Sequence, residues 1–142
     1  MKTYMPKLDT VERKWWLVNA DGRVLGRLAS EIAKVLAGKG RLSFAPHIDG
    51  GDFVICINAG KVRVTGRKRE NKVYYRHSGY PHGFRKELLD DMLEKRPERV
   101  ILLAVKGMLP RNRIGRQMLT RLKVYRGADH PHKAQRPQVL DL

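Results

Sequence analysis

Arginine and lysine side chains are concentrated in two segments of this chain. Residues 61–86 hold nine basic residues and one acidic residue, and residues 105–136 hold the same numbers. Both segments also carry glycine, histidine and tyrosine. Cations neutralise phosphates, glycine allows close approach of the backbone, and tyrosine, histidine and arginine planes stack on unpaired bases. These residue types together favour recognition of a polyanion, above all RNA.

The charge of the whole chain supports this interpretation. Its net charge is +16 and its isoelectric point is about 10.5, far beyond what solubility requires. An ordinary solvated surface is the alternative, and it suits residues 87–104, where three basic residues meet five acidic ones. It explains the two basic segments poorly, because their cations would repel one another with almost no acidic neighbours.

The segment 104–116 is the most informative of the basic stretches. Its glycines and Pro110 predict a shaped loop anchored by apolar residues, and four cations project from it: Lys106, Arg111, Arg113 and Arg116. A rigid loop that presents arginines suits a folded RNA with a fixed phosphate geometry.

Five histidines raise the alternative of an RNA-processing enzyme with acid and base catalysis by histidine. None is spaced in a catalytic or metal motif, and the pair His130 and His132 alone makes no metal site. We therefore expect no enzyme, no cofactor and no metal. Asp49 and Asp52 flank two glycines before an apolar run, and we expect them to stabilise a turn. The histidines are His47, His77, His82, His130 and His132.

Cysteine content and hydropathy bound the cellular setting. The one cysteine, Cys56, lies in an apolar run and is typical of a buried thiol in a reducing compartment. No apolar stretch is long enough for a membrane-spanning helix, and the N-terminus lacks an apolar signal core. We expect a soluble, cytoplasmic protein without a membrane partner.

Hydrophobic periodicity then predicts the elements that position these residues. Apolar positions at helical spacing predict helices at 24–36, 88–93, 97–108 and 118–122, with a strand over 100–105 as the competing interpretation of the third. Pro97 is expected as the first residue of its helix. Short apolar or alternating runs predict strands at 15–18, 53–57, 61–65, 72–76 and 122–125.

This order predicts one α/β domain, since strands alternating with helices favour a mostly parallel sheet. A chain of 142 residues has no room for a second independent core. We expect an N-terminal arm over 1–14, basic loops, and an extended C-terminal tail over 127–142.

Several motifs resemble one family across nearly the whole chain. They are Val105-Lys106-Gly107-Met108-Leu109-Pro110 with Gly115-Arg116 and Leu122-Lys123-Val124-Tyr125, together with Leu25-Gly26-Arg27-Leu28-Ala29-Ser30, Gly51-Asp52-Phe53-Val54, Asn58-Ala59, Thr65-Gly66-Arg67-Lys68, residues 72–79, Arg96-Pro97-Glu98 and residues 130–135. This set resembles the bacterial form of the universal large-subunit ribosomal protein thirteen family. One departure is Tyr80-Pro81-His82-Gly83, where a more glycine-rich loop is expected.

The resemblance implies a three-layer α/β/α fold around a small, mostly parallel four-stranded sheet. It also implies a non-enzymatic constituent of the large ribosomal subunit that binds large-subunit ribosomal RNA and supports early assembly. Neighbouring ribosomal proteins are the implied protein partners, without homo-oligomers. Some bacterial members are thought to repress translation of their own messenger RNA, which makes that messenger a further candidate partner.

Charge counting and the resemblance converge on the same RNA-binding residues. In the first segment we expect phosphate contacts from the cations, with Tyr75 and His77 near bases or sugars. In the second segment we expect the cations up to Arg126 to contact phosphates, and His130, His132 and Lys133 to extend that contact. A generic basic nucleic-acid chaperone stays open as a third interpretation beside the enzyme. The expected RNA-binding residues are Lys61, Arg63, Arg67, Lys68, Arg69, Lys72, Tyr75, Arg76, His77, Lys106, Arg111, Arg113, Arg116, Arg121, Lys123, Tyr125, Arg126, His130, His132 and Lys133.

Overall fold

A computed structural model describes residues 4–141 of the chain. The expected N-terminal arm runs over 4–14 with one 3-10 turn at Leu8–Thr10, and residues 1–3 of that arm lie outside the described part, as does Leu142 of the tail. The strands are β1 (Trp15–Asn19), β2 (Phe53–Ile57), β3 (Val73–His77), β4 (Phe84–Leu88), β5 (Leu122–Val124) and β6 (Gln138–Val139).

Five α-helices accompany these strands in the described residues. None of the helices within residues 4–141 is long and apolar enough to cross a membrane. The competing strand over 100–105 is wrong, because this stretch lies inside a helix that begins at Pro97, as predicted. The helices are α1 (Leu25–Ala37), α2 (Lys68–Asn71), α3 (Leu89–Lys95), α4 (Pro97–Met108) and α5 (Arg113–Thr120).

The main sheet confirms the predicted α/β class. Its four strands are all parallel and lie in the order β5-β2-β1-β6. The chain steps from β1 to β2 to β5 in one direction, and α1, α3, α4 and α5 pack against one another on one face of the sheet. The return from β5 to β6 crosses the opposite face, where the His132 ring lies 5.3 Å from the ring of Trp15. The outer layers are thus unequal, with helices on one side and the C-terminal tail on the other.

The hydrophobic core lies between the sheet and the helices. Val18, Val54 and Cys56 pack there against the apolar stripe of α1, which includes Ile32 and Leu36. The helix α1 ends at Gly38, whose φ of 74° is the left-handed conformation that glycine adopts without strain. On the tail side, Ile55 is 0% exposed, so β2 is covered on both faces, as its continuous apolar run predicts.

Two buried carboxylates tie the amino ends of the strands to distant segments. Asp49 binds the guanidinium of Arg121, which also donates to the carbonyl of Leu36 at 2.8 Å. Asp52 binds Arg41 and accepts from the backbone N–H of Lys14 at 2.8 Å. The turn role expected for both aspartates is wrong, since their partners are 11 to 72 positions away.

Two of the predicted strands differ from the structure. Over 61–65 the described backbone forms one isolated bridge, between Val24 and Arg63, instead of a strand. The strand predicted at 72–76 is present as β3, but it pairs antiparallel with β4 in a separate hairpin rather than joining the main sheet. The fourth strand of the main sheet is β6, which sequence patterning missed. Among the basic loops, the stretch 66–71 contains the single turn of α2.

Candidate nucleic-acid interface

The first basic segment forms one exposed surface that leads from the end of β2 into the β3–β4 hairpin. We call it the first cationic surface. All of its predicted residues have exposed side chains, so each is available to a partner. They are Lys61, Arg63, Arg67, Lys68, Arg69, Lys72, Tyr75, Arg76 and His77.

The hairpin register adds cations that sequence reasoning missed. Tyr75 lies opposite Lys86, and Arg76 lies opposite Arg85. Like charges directly opposite each other destabilise an isolated antiparallel pair. The sequence carries only a weak strand signal here, because Phe84-Arg85-Lys86-Glu87-Leu88 has three consecutive charged residues between two apolar ones. The facing arginines give this ribbon a concentrated positive charge.

The same hairpin exposes a pair of aromatic rings. The rings of Tyr75 and Phe84 are stacked, with centroids 5.7 Å apart and planes 19° from parallel. Their exposed fractions are 68% and 58%. Large exposed rings on a cationic ribbon provide a surface on which unpaired bases can stack.

The second basic segment is shaped by the connection between α4 and α5. The side chain of Asn112 caps α5 by accepting from the backbone N–H of Gly115 at 2.8 Å. A Cβ at Gly115 would stand 1.8 Å from the carbonyl oxygen of Pro110, so only glycine allows this tight turn. The loop is therefore held in one shape.

Of the four cations predicted here, Lys106 lies in α4, Arg111 in the connection, and Arg113 and Arg116 in α5. We call them, together with the later predicted residues, the second cationic surface. Those later residues are Arg121, Lys123, Tyr125, Arg126, His130, His132 and Lys133. Lys106, Arg111, Arg113 and Arg116 are all exposed. Three of them border a groove of about 480 Å³, which Leu103 and Leu109 also line. The arrangement combines fixed cations with an adjacent apolar floor.

The remaining residues of the second surface are partly engaged within the fold. The Tyr125 hydroxyl and the His132 Nε2 lie 2.7 Å apart, and both side chains are half-buried. The Arg126 guanidinium donates to the carbonyl of Glu94 at 3.2 Å, and its own carbonyl accepts from Gly60, which precedes Lys61. The chain thus brings the ends of both cationic surfaces together. Lys123 and His130 are half-buried, and Lys133 is exposed.

Arg121, which the sequence predicts as an RNA contact, is buried and paired within the fold. Its side chain is 4% exposed and is held by Asp49 and Leu36 below the sheet edge. A guanidinium buried in this way has no free approach to a phosphate. Sequence reasoning missed this structural role of Arg121, because charge counting cannot distinguish a buried cation from an exposed one.

The histidines do not assemble into a metal centre. Within residues 4–141, no three His, Cys, Asp or Glu side chains converge on a common point. His77 Nδ1 accepts from the backbone N–H of Gly79 at 2.9 Å, and His130 Nδ1 accepts from that of His132 at 3.2 Å. These rings shape local turns.

Comparison with known proteins identifies close relatives over the whole length. The family model described as ribosomal protein L13 matches residues 13–131. A protein of Aquifex aeolicus named large ribosomal subunit protein uL13 is 61% identical over 142 residues, covering 100% of this chain and 99% of its own. Proteins of the same name from Symbiobacterium thermophilum and Brevibacillus brevis are 57% and 59% identical, covering 99% and 96% of this chain and 99% and 94% of their own.

Proposed function

The chain belongs to the ribosomal protein L13 family, and from that membership we propose that it is a structural constituent of the large ribosomal subunit. In this role it binds large-subunit ribosomal RNA through both cationic surfaces and supports early assembly of the subunit. The observation that carries the proposal is the fixed α4–α5 connection, which presents Arg111, Arg113 and Arg116 from a capped helix and a glycine-locked turn.

Rigidity explains how such a surface can select one folded RNA. Cations on flexible segments bind any polyanion, whereas cations at fixed spacings match one arrangement of phosphates. The ion pair between Asp49 and Arg121 fixes the start of β5, which directly follows α5. It therefore also helps to hold the α4–α5 connection in place. Repression of the protein's own messenger would use the same surfaces, with a segment of that messenger competing with ribosomal RNA.

The test compares binding to large-subunit ribosomal RNA with binding to an unrelated structured RNA of equal length. With about 6–10 phosphate contacts, non-specific affinity falls by about a thousandfold or more between 50 and 200 mM salt. We expect ribosomal RNA to keep a large advantage at the higher salt. Two curves that fall together would contradict specific recognition and favour a generic chaperone, and RNA cleavage would favour the enzyme.

A matched variant locates the contact. Replacing Arg111, Arg113 and Arg116 together by alanine should weaken the affinity for ribosomal RNA and leave thermal unfolding nearly unchanged, because the three side chains are exposed. A large loss of folding stability would instead show that these arginines are structural.

A further inference from the structure

A second concave region lies between the β3–β4 hairpin and the corner where α3 meets α4. Its volume is about 470 Å³, within the range of roughly 300–1,000 Å³ that is usual for ligand sites. The cations that line it come from the hairpin and from the helical corner: Arg76, Arg85, Lys95, Arg96 and Arg99. Of these, only Arg76 belongs to the first cationic surface.

The positive charge of this groove is not neutralised by the protein. Glu87 is the one carboxylate that lines it, and no ion pair among residues 4–141 involves any of the groove cations. Cations gathered in a concave site raise the local potential and attract an anion. The cations of the groove therefore repel one another, and a bound anion would relieve that repulsion.

The floor of the groove is apolar and includes a flat ring. Tyr74 and Leu103 are half-buried, and Met92 is buried. Like any tyrosine, Tyr74 has a protonated hydroxyl at neutral pH, and burial raises its pKa further above the ordinary value of 10.0. The Lys72 ammonium lies 5.4 Å from the centroid of the Tyr74 ring.

The fold separates charges that are mixed along the sequence. Residues 87–104 have more acidic than basic residues, yet all three of their basic side chains reach the groove. The acidic residues Asp90, Asp91, Glu94 and Glu98 do not line it. A segment with net negative charge thus contributes a positive site, which counting along the chain cannot detect.

We propose that this groove binds a single-stranded segment of RNA and holds one unpaired nucleotide. The base packs against Tyr74 and Leu103, and the flanking phosphates lie between the hairpin arginines and those of the helical corner. Arginine suits this task because its planar fork can bind phosphate oxygens in pairs and can stack on a base. Acidic side chains alone would satisfy the cations but would leave the Tyr74 ring and the apolar floor without a partner. The proposal rests on the proposed function and adds a third contact to it.

Chemical protection tests this site directly. The whole chain is treated with an arginine-specific dicarbonyl reagent, alone and with one of three probes: large-subunit ribosomal RNA, a short oligouridylate, or polyglutamate at equal charge concentration. Mass spectrometry reads the modification of Arg96 and Arg99. We expect both RNA probes to protect these arginines and polyglutamate not to protect them. Equal protection by polyglutamate would overturn the proposal in favour of an acidic polypeptide, and no protection by any probe would overturn it outright.

A pair of charge-matched variants separates this proposal from the wider one. Arg96→Gln with Arg99→Gln removes two groove cations, and Arg27→Gln with Lys39→Gln removes two exposed cations from the α1 region. Two lost contacts to single-stranded phosphates should reduce the salt slope by about 1.4 and weaken binding about tenfold at 0.15 M salt. The control pair should change neither.

The outcomes for the two proposals differ. If ribosomal RNA binds the wild type, the Arg111, Arg113 and Arg116 variant binds weakly, and the groove variant binds like the wild type, the groove proposal fails and the proposed function stands. If ribosomal RNA shows no advantage over unrelated RNA with any of the proteins, the proposed function itself fails.

Discussion

Ion pairs between residues distant in sequence hold in place the loops at the amino ends of the strands. Arg121 reaches Asp49 across 72 positions, and Arg41 reaches Asp52 across 11. Asp52 also accepts from the Trp16 indole N–H at 3.0 Å, so one carboxylate fixes an arm, a strand and a loop. Each aspartate replaces water with several protein donors, which is what a buried carboxylate requires.

Breaking the Asp49–Arg121 pair on one side should destabilise the protein strongly. Asp49→Ala leaves the Arg121 guanidinium buried and uncompensated, and such a loss costs about 3–5 kcal/mol in the free energy of unfolding. Urea denaturation measures this change.

The double variant Asp49→Ala with Arg121→Met is the control. Because it buries no unpaired charge, it should be more stable than Asp49→Ala alone. A double variant that is no more stable than the single variant would show that the pair itself, rather than the lone cation, determines the loss.

Cys56 provides a test of core burial. Burial raises the pKa of its thiol from 9.0 to about 12, so the reactive thiolate is absent from the folded protein at neutral pH. We expect a disulfide reagent to label Cys56 only after denaturant unfolds the chain. Rapid labelling of the native protein would contradict the burial of Cys56 in the sheet.

The same shift makes a pH prediction with a definite sign. Above pH 9.0 the unfolded thiol ionises while the folded thiol stays protonated up to about pH 12. The contribution of Cys56 to stability is therefore complete below the lower value and falls between the two. Cys56→Ala should show a smaller loss of unfolding free energy across this range than the wild type does.

At the scale of helices and strands, strong hydrophobic periodicity made most elements predictable. The apolar stripe of α1, the apolar run of β2 and Pro97 at the start of α4 depend on local pattern, and the structure confirms them. Residues 61–65 also alternate, but Val62 is buried beside a 3-10 turn and only one bridge forms. The two-residue strand β6 has exposed side chains, so no hydrophobic pattern marks it. The position of β6 depends on backbone pairing with the free edge of β1.

The hairpin should contribute to RNA binding through its rings. Replacing Tyr75 and Phe84 by alanine removes the stacked pair, and each lost base stack weakens binding by about 1–3 kcal/mol. Filter binding to large-subunit ribosomal RNA at fixed salt measures the loss. Thermal unfolding should change little, because both rings are mostly exposed. A loss of this size with an unchanged salt slope would identify stacking rather than charge as the cause.

At the scale of the whole molecule, charge is sorted by surface rather than by segment. Charge counting along the sequence selected the two basic segments, and all of their cations except Arg121 and Lys123 are exposed. It misplaced Arg121, which is buried, and it overlooked Arg85, Arg96 and Arg99, which the fold brings to one groove. These errors have one physical cause: the side of the fold on which a cation lies depends on long-range packing that composition does not record.

The net charge also predicts opposite effects of salt on folding and on binding. A charge of +16 repels itself in the compact state, and screening weakens that repulsion. Raising salt from about 0.05 to 0.5 M should therefore raise the melting temperature of the free protein while it lowers the affinity for RNA. Differential scanning calorimetry measures the first effect. In the variant with Arg111, Arg113 and Arg116 replaced by alanine, the rise should be smaller, because three of the repelling cations are gone. A melting temperature that falls with salt would instead show that the buried ion pairs, rather than the surface repulsion, dominate the electrostatics of the fold.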